Sequence, residues 1–242
     1  MAIVFDIRGP MGFFRKPYTT TSSVSFPLPP PSAIAGLIAS ILGIPNGAET
    51  SGGAALYWDR LQGTRIAIQR INPNAWFSAT TNFWNTKNPQ KNAHIQIKHQ
   101  FIKNPHFRIS VQGGVEKELQ QALENKQFHY PPNLGTAYTL ADIYFIGFFD
   151  FDKSKIPAGE KGVSICSATP INDEVSSFID FIQSKGLMKD TFPFRLDKAR
   201  ALKETIDLIY PSTPDGRIVI DTWDGLDVTC FEEEHIAWLP AW

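Results

Sequence analysis

Residues 9–43, GPMGFFRKPYTTTSSVSFPLPPPSAIAGLIASILG, constrain the fold more than any other stretch of this chain. They run from a Gly/Pro loop through a basic and aromatic patch, a Thr/Ser run and three prolines into one small-residue helix. Ile34, Leu37, Ile38, Ile41 and Leu42 recur at the helical period, so one stripe of that helix has to be buried against a sheet. Ser32 is placed to cap the helix, and Gly43 followed by Pro45 to stop it. Ala33, Ala35, Gly36 and Ala39 are small. A Gly inside a helix costs about 1 kcal/mol relative to Ala and is commonly offset by close backbone approach, which predicts a helix lying tight on its sheet. The prolines hold the entry extended and leave Arg15, Lys16 and the hydroxyls of Thr19, Thr20, Thr21, Ser22 and Ser23 on the adjacent loop. That composition suits a phosphate and equally describes a solvated surface loop.

The net charge of -1 averages two opposite halves. Residues 1–112 carry eleven Lys/Arg against Asp6, Glu49 and Asp59, a balance of +8, and the remainder carries twelve against twenty-one, a balance of -9. No carboxylate occurs between Arg60 and Val115, where Arg65, Arg70, Lys87, Lys91, Lys98, Lys103 and Arg108 lie. An acid-free stretch of that length points to a polyanion or an acidic partner surface. The competing reading is that the basic half pairs with the acidic half inside one molecule.

Along the chain, residues 2–8 (AIVFDIR) alternate as a first strand and TRIAIQRI, 64–71, as a half-buried one. Asn72 to Asn92 has no sustained period and holds Trp76, Phe77, Phe83 and Trp84 among Asn, Thr, Lys87 and Lys91. A loop so long is uncommon in a compact domain unless it is functional. Aromatics interleaved with lysines are what single-stranded RNA recognition uses, although the same rings could form a satellite core. His94 to Lys103 alternates as a strand, Pro105 breaks it, and Phe107 to Val111 is a core strand with Arg108 on its other face. Val115–Asn125 is an amphipathic helix, Tyr130–Tyr138 a Pro/Gly loop and Leu140–Phe151 an apolar strand. The order βαββαβ is the split βαβ of a ferredoxin-like, RRM-like α+β fold. Beyond Asp152 the pattern predicts a strand over 162–168, a helix over 172–185, helix or strand from Leu196 toward Tyr210, and a hairpin of RIVID and DVTCF around TWDGL. This acidic part reads as a protein contact surface.

The order of these segments resembles the fifth family of CRISPR-associated proteins, in the RAMP superfamily, closest to its subtype I-B branch. Gly36, Leu37, Ile41, Leu42 and Gly43 match that family's helix end, and residues 94–111 and 130–147 agree in order. The resemblance implies a ferredoxin-like domain, residues 1–152, with a β-hairpin thumb at about 72–106 and a smaller C-terminal α/β appendage, 153–242. It implies a non-catalytic Cascade subunit that grips the 5′ handle of CRISPR RNA and joins the backbone subunit to the large subunit, with target DNA nearby. Implied contacts are Arg15, Lys16 and Thr20, the thumb residues Trp84, Lys87, Lys91, His94 and Lys98, Arg108 on the sheet, and Asn133, Gly135 and Thr136 in the second loop.

No phosphate-cradling Gly motif, nucleophile elbow or zinc-ligand spacing occurs, so no cofactor or metal is expected. His94, His99 and His106 match no common metal site. One branch of the family cleaves precursor guide RNA with a Tyr and a Lys-His pair. Lys98 and His99, with Tyr18 or Tyr57, are the corresponding candidates. No apolar run approaches the roughly 20 residues of a membrane span, and Cys166 and Cys230 are too few for a disulfide framework, so a cytoplasmic setting is expected.

Overall fold

The computed structural model describes residues 1–19, 22–47, 53–91, 93–172 and 178–242. Its centre is a four-stranded antiparallel sheet of β1 (Ala2–Arg8), β4 (Arg65–Arg70), β7 (His106–Gln112) and β8 (Asp142–Phe149), in the order β4-β7-β1-β8. Alternation along these strands decides both faces. Ile3, Phe5, Ile7, Ile66, Ile68, Phe107, Ile109 and Val111 point to one side, where α1 (Pro31–Leu42) and α3 (Glu116–Glu124) bury Ile34, Ile38, Ile41, Leu119 and Leu123 against them. The short α2 (Tyr57–Arg60) joins this core through Tyr57 and Trp58. Phe192, Tyr210 and Trp242 from the acidic half belong to the same cluster.

Pro30 and Pro31 start α1, and Pro31 fills the first helical position, where a missing N–H is harmless. Ser32 therefore sits inside the first turn and makes no cap, contrary to the expectation from sequence. Gly43 ends the helix with φ 70°, donating its N–H to the carbonyl of Ala39. Tight packing at Gly36 is not found: a Cβ there would meet nothing within 4 Å. The sheet side of α1 carries the large residues. Ala33, Gly36 and Ser40 turn instead toward a cavity of about 290 Å³ closed by Phe14, Pro29, Asn133, Leu134 and Gly135.

The period-free stretch after β4 is mostly a strand. β5 (Ala75–Trp84) pairs antiparallel with β6 (His94–Lys103) in unbroken register from Ala75↔Lys103 to Trp84↔His94. The sequence hides it because both faces are largely exposed along its length, so no burial period is imposed. The other edge of β6 receives β2 (Met11–Gly12) and β3 (Ser22–Ser23), the latter in parallel with Lys98 and His99. The basic loop is thereby part of the hairpin's own sheet. Asn104, with φ 48°, turns the chain from β6 into β7.

The acidic half contributes β9 (Val163–Ile165), β10 (Thr169–Pro170), β11 (Leu187–Leu196), β12 (Leu202–Pro211), β13 (Ile218–Ile220), β14 (Val228–Phe231) and β15 (Glu234–Ala237). β11 and β12 form a long hairpin, turned by Asp197, whose carboxylate accepts from the Ala201 N–H, and by left-handed Arg200. Leu202 onward is thus a strand. The expected helix over 172–185 partly lies outside the described residues; from 179 onward it is not helical, because Ile179 bridges to Ile220 and the Asp180 carboxylate accepts the N–H groups of Ile182 and Gln183, closing a turn. The expected hairpin of RIVID and DVTCF is also absent. β13 pairs with β9, while β14 pairs with β15 through Glu232 and Glu233, both at positive φ as a primed two-residue turn requires.

β14 and β15 cover the second face of the central sheet, packing Phe231, Ile236 and Trp238 with Ala2, Val4 and Ala67. The free edge of β4 is closed by N–H donations from Ala168 to Ile68 and from Leu239 to Ile66. Among the described residues no helix is long and apolar enough to cross a membrane.

Candidate nucleic-acid interface

The cations of the acid-free stretch divide into two groups. Outside the hairpin, Arg60, Arg65 and Arg108 are answered by carboxylates from within the chain. Arg60 pairs with Glu118 at 2.6 Å, Arg65 with Asp227, and Arg108 donates to Asp6 at 2.8 Å and Glu232 at 3.2 Å while lying over the Phe231 ring. Lys16 is likewise held, its ammonium 2.9 Å from both oxygens of Asp190. Burial works against that charge, but the hydrogen bonds and charges of Asp190 and Tyr18 together outweigh it and hold Lys16 above the usual lysine range. On the hairpin the situation is opposite. Lys87, Lys91 and Lys98 are exposed, and among the described residues no carboxylate lies within ion-pair reach of them or of Arg15.

Register fixes which hairpin side chains share a face. Trp76, Ser78, Thr80, Asn82 and Trp84 on β5 stand beside Ile102, Gln100, Lys98, Gln96 and His94 on β6. This face is a row of hydroxyl, amide, cation and indole groups, ending in Trp84, which is 63% exposed and packs edge to face with the His94 ring, at 5.3 Å. Lys87 and Lys91 occupy the turn beyond it, whose start is fixed by the Asn85 carboxamide accepting from the Lys87 and Asn88 N–H groups. At the strand rise of about 3.4 Å per residue, Trp76 and Trp84 stand some 27 Å apart.

The opposite face is aromatic at its base. His99 stacks on Phe13 at 4.8 Å and 13°, with Phe83 and Phe101 around it, and Phe77 stacks on Phe101. His99 is 5% exposed, and burial, helped by the charge of Arg15, holds its pKa below 6.5. Lys98 and His99, adjacent in sequence, therefore face opposite sides of the hairpin. Tyr138 reaches this face through the edge of Phe101.

The second loop is anchored to the first. Phe13 donates its N–H to the Leu134 carbonyl at 2.9 Å, and Gly135, at φ +102°, brings its Cα so near Phe13 that a Cβ would fall 2.1 Å from the Phe13 oxygen. Thr136 is tied to Thr139 by N–H and hydroxyl bonds of 3.2 Å each. Asn133 lines the cavity over Gly36. Arg15 bends back on its loop, donating to the Thr19 carbonyl at 2.8 Å, and Thr20 lies outside the described residues. The structure thus brings Trp84, His94 and Lys98 onto one face with Lys87 and Lys91 at its tip. Arg15, Asn133, Gly135 and Thr136 gather at the base, while Lys16 and Arg108 are engaged by carboxylates. Sequence reasoning did not find Phe13 as the platform under His99, nor Asp190 as the partner of Lys16, 174 positions away.

A family model described as CRISPR-associated protein (Cas_Cas5) matches residues 2–148. No curated protein matches the sequence. Among solved structures, a chain of a CRISPR RNA-guided surveillance complex superposes with a TM-score of 0.56 at 13% identity, over 90% of this chain and 91% of that one. A CRISPR protein from Archaeoglobus fulgidus gives 0.56 at 11% identity over 98% of both chains. A chain of a type III-B Cmr-beta complex bound to cognate target RNA and AMPPnP gives 0.51 at 13%, over 89% and 86%. At such identities the likeness is one of fold. The matched residues hold the whole central sheet, both packed helices and the hairpin, and on that match the chain belongs to the CRISPR-associated Cas5 family.

Proposed function

We propose that this chain is a non-catalytic subunit of a type I Cascade complex, of the subtype I-B kind, that grips the 5′ handle of CRISPR RNA and joins the backbone subunit to the large subunit. The observation that carries the proposal is the hairpin. Exposed Trp84, His94 and Lys98 share one face, Lys87 and Lys91 follow at the tip, and among the described residues none of these lysines has a carboxylate partner. An aromatic platform beside unneutralised cations is the chemistry that holds single-stranded RNA. The strand order β4-β7-β1-β8 with α1 and α3 on one face supports the ferredoxin-like reading of the domain that bears this thumb. The multisubunit CRISPR complexes among its structural neighbours support an assembled setting.

His99 supports the non-catalytic reading. An acid/base group must reach the proton it moves. This ring is instead buried on Phe13, kept neutral, and turned away from Lys98. The test is incubation of the purified chain with precursor RNA in EDTA at single turnover. The expected result is salt-sensitive binding without cleavage; products ending in 2′,3′-cyclic phosphate that vanish in His99→Ala would overturn it.

A further inference from the structure

At the foot of the thumb the last residue of β4 stands apart from the other core arginines. Arg70 is 6% exposed, and its guanidinium has one partner, the Ser212 carbonyl, which accepts from Nη1. Among the described residues its Nε and Nη2 are buried without a hydrogen-bond acceptor. Asp190, the acid of this neighbourhood, is engaged by Lys16 and by the Tyr210 hydroxyl, whose ring lies 5.7 Å from the Arg70 guanidinium. Burial brings Arg70 down to about 10, so it remains a cation at neutral pH. A buried cation with two unmet donors is strongly unfavourable unless an anion completes it.

Arg70 also lines a cavity of about 160 Å³, with Pro27, Asn74, Trp76, Tyr210 and Ser212, together with Met188; its Nε and Nη2 lie buried in the wall of that cavity. Pockets that enclose a drug-sized ligand run to roughly 300–1,000 Å³, so this one admits a single small group. Nε and Nη2 form the side edge of a guanidinium, a fork that matches two oxygens of one anion. Trp76, 40% exposed at the mouth, leaves ring surface in solvent. Trp76 also begins the polar hairpin face that continues through Thr80 and Lys98 to Trp84. A linear polyanion following that face would therefore reach Arg70 at its end.

We propose that the Arg70 cavity holds one phosphodiester of the single-stranded RNA carried on the thumb, with Trp76 stacking the base beside it. The assignment rests on the RNA-binding reading above, and an acidic side chain of a protein partner is the rival occupant.

Three variants of the full chain test it. Arg70→Met removes the charge, Arg70→Lys keeps the charge but loses the two-donor edge, and Trp76→Ala removes the stacking surface. Affinity for a repeat-derived RNA should fall roughly 10- to 100-fold in both Arg70 variants and about 10-fold or more in Trp76→Ala. The melting temperature of Arg70→Met should hold or rise, because an unpaired buried charge has been removed. RNAs carrying a single neutral methylphosphonate should reveal one position that weakens wild type about 10-fold or more and leaves Arg70→Met unaffected. Inorganic phosphate, at ionic strength matched with chloride, should raise the melting temperature of wild type and not of Arg70→Met. The proposal is overturned if RNA affinity is unchanged in the Arg70 variants while Lys87, Lys91 and Lys98 still matter, or if Arg70→Met loses only the protein partners of the complex. A chain that binds no RNA at all, yet responds to inorganic phosphate through Arg70, would overturn the RNA reading and the phosphodiester assignment while leaving an anion site.

Discussion

Replacing Lys87, Lys91 and Lys98 together with Ala should change the salt dependence of RNA binding more than any other surface substitution. All three are exposed, and among the described residues no carboxylate pairs with them, so each is free to displace counterions from a phosphate. For single strands each contacted phosphate contributes about 0.7 to the slope of log affinity against log salt. Three contacts therefore steepen the wild-type slope by about 2, and over a fourfold rise in salt the wild type should lose about 20-fold more affinity than the triple variant. Fluorescence anisotropy with a repeat-derived RNA across a salt series reads this directly. The control is Lys153→Ala with Lys155→Ala, whose ammonium groups pair with Asp150 and Asp227 and which should leave the slope unchanged. A triple variant with the wild-type slope would refute the reasoning, since the hairpin lysines would then contact no phosphate.

Trp84→Ala should weaken RNA binding by about 1–3 kcal/mol, as loss of a stacking platform does, and leave the melting temperature of the chain nearly unchanged because most of the Trp84 side chain is in solvent; a large thermal shift with intact binding would make it a packing residue. His99→Phe should flatten the pH dependence of stability in mild acid. The folded chain holds His99 below 6.5, so the unfolded chain binds a proton that the folded one refuses, and stability present above 6.5 declines as pH falls from there toward the folded value. Urea midpoints of wild type and variant that run parallel through that window would contradict the buried neutral ring. Gly135→Ala should cost about 1–3 kcal/mol in backbone strain and more from the contact with Phe13, whereas Gly159→Ala, also at positive φ with nothing within 4 Å, should show the strain alone. Equal urea midpoints for the two would show that the second loop is not wedged on the first.

What was legible in the sequence was what burial writes into it. β1, β4 and β7 alternate large apolar residues toward the helices with smaller or polar ones on the other face, and α3 presents one face to the core, so their strand or helical period follows. The stop at Gly43 was legible because only a left-handed residue fits there. β5 was not, because a strand exposed on both sides needs no pattern. The β14–β15 turn was hidden for a different reason: Glu232-Glu233 occupies left-handed positions where Asn-Gly would have announced them. Of the candidate site, exposed thumb residues could be chosen from aromatic and lysine content. The engagement of Arg108 and Lys16 could not, since Glu232 and Asp190 approach from far along the chain and charge balance by halves does not say which cations are answered.

The most direct test of the central claim is ultraviolet crosslinking of the chain in its native complex, followed by mass spectrometric identification of the linked peptide and nucleotide. RNA gripped by the thumb predicts crosslinks from peptides spanning 75–103, above all at Trp84 and His94, to nucleotides of the repeat-derived 5′ end. Crosslinks confined to other parts of the chain, or to spacer-derived nucleotides alone, would contradict it.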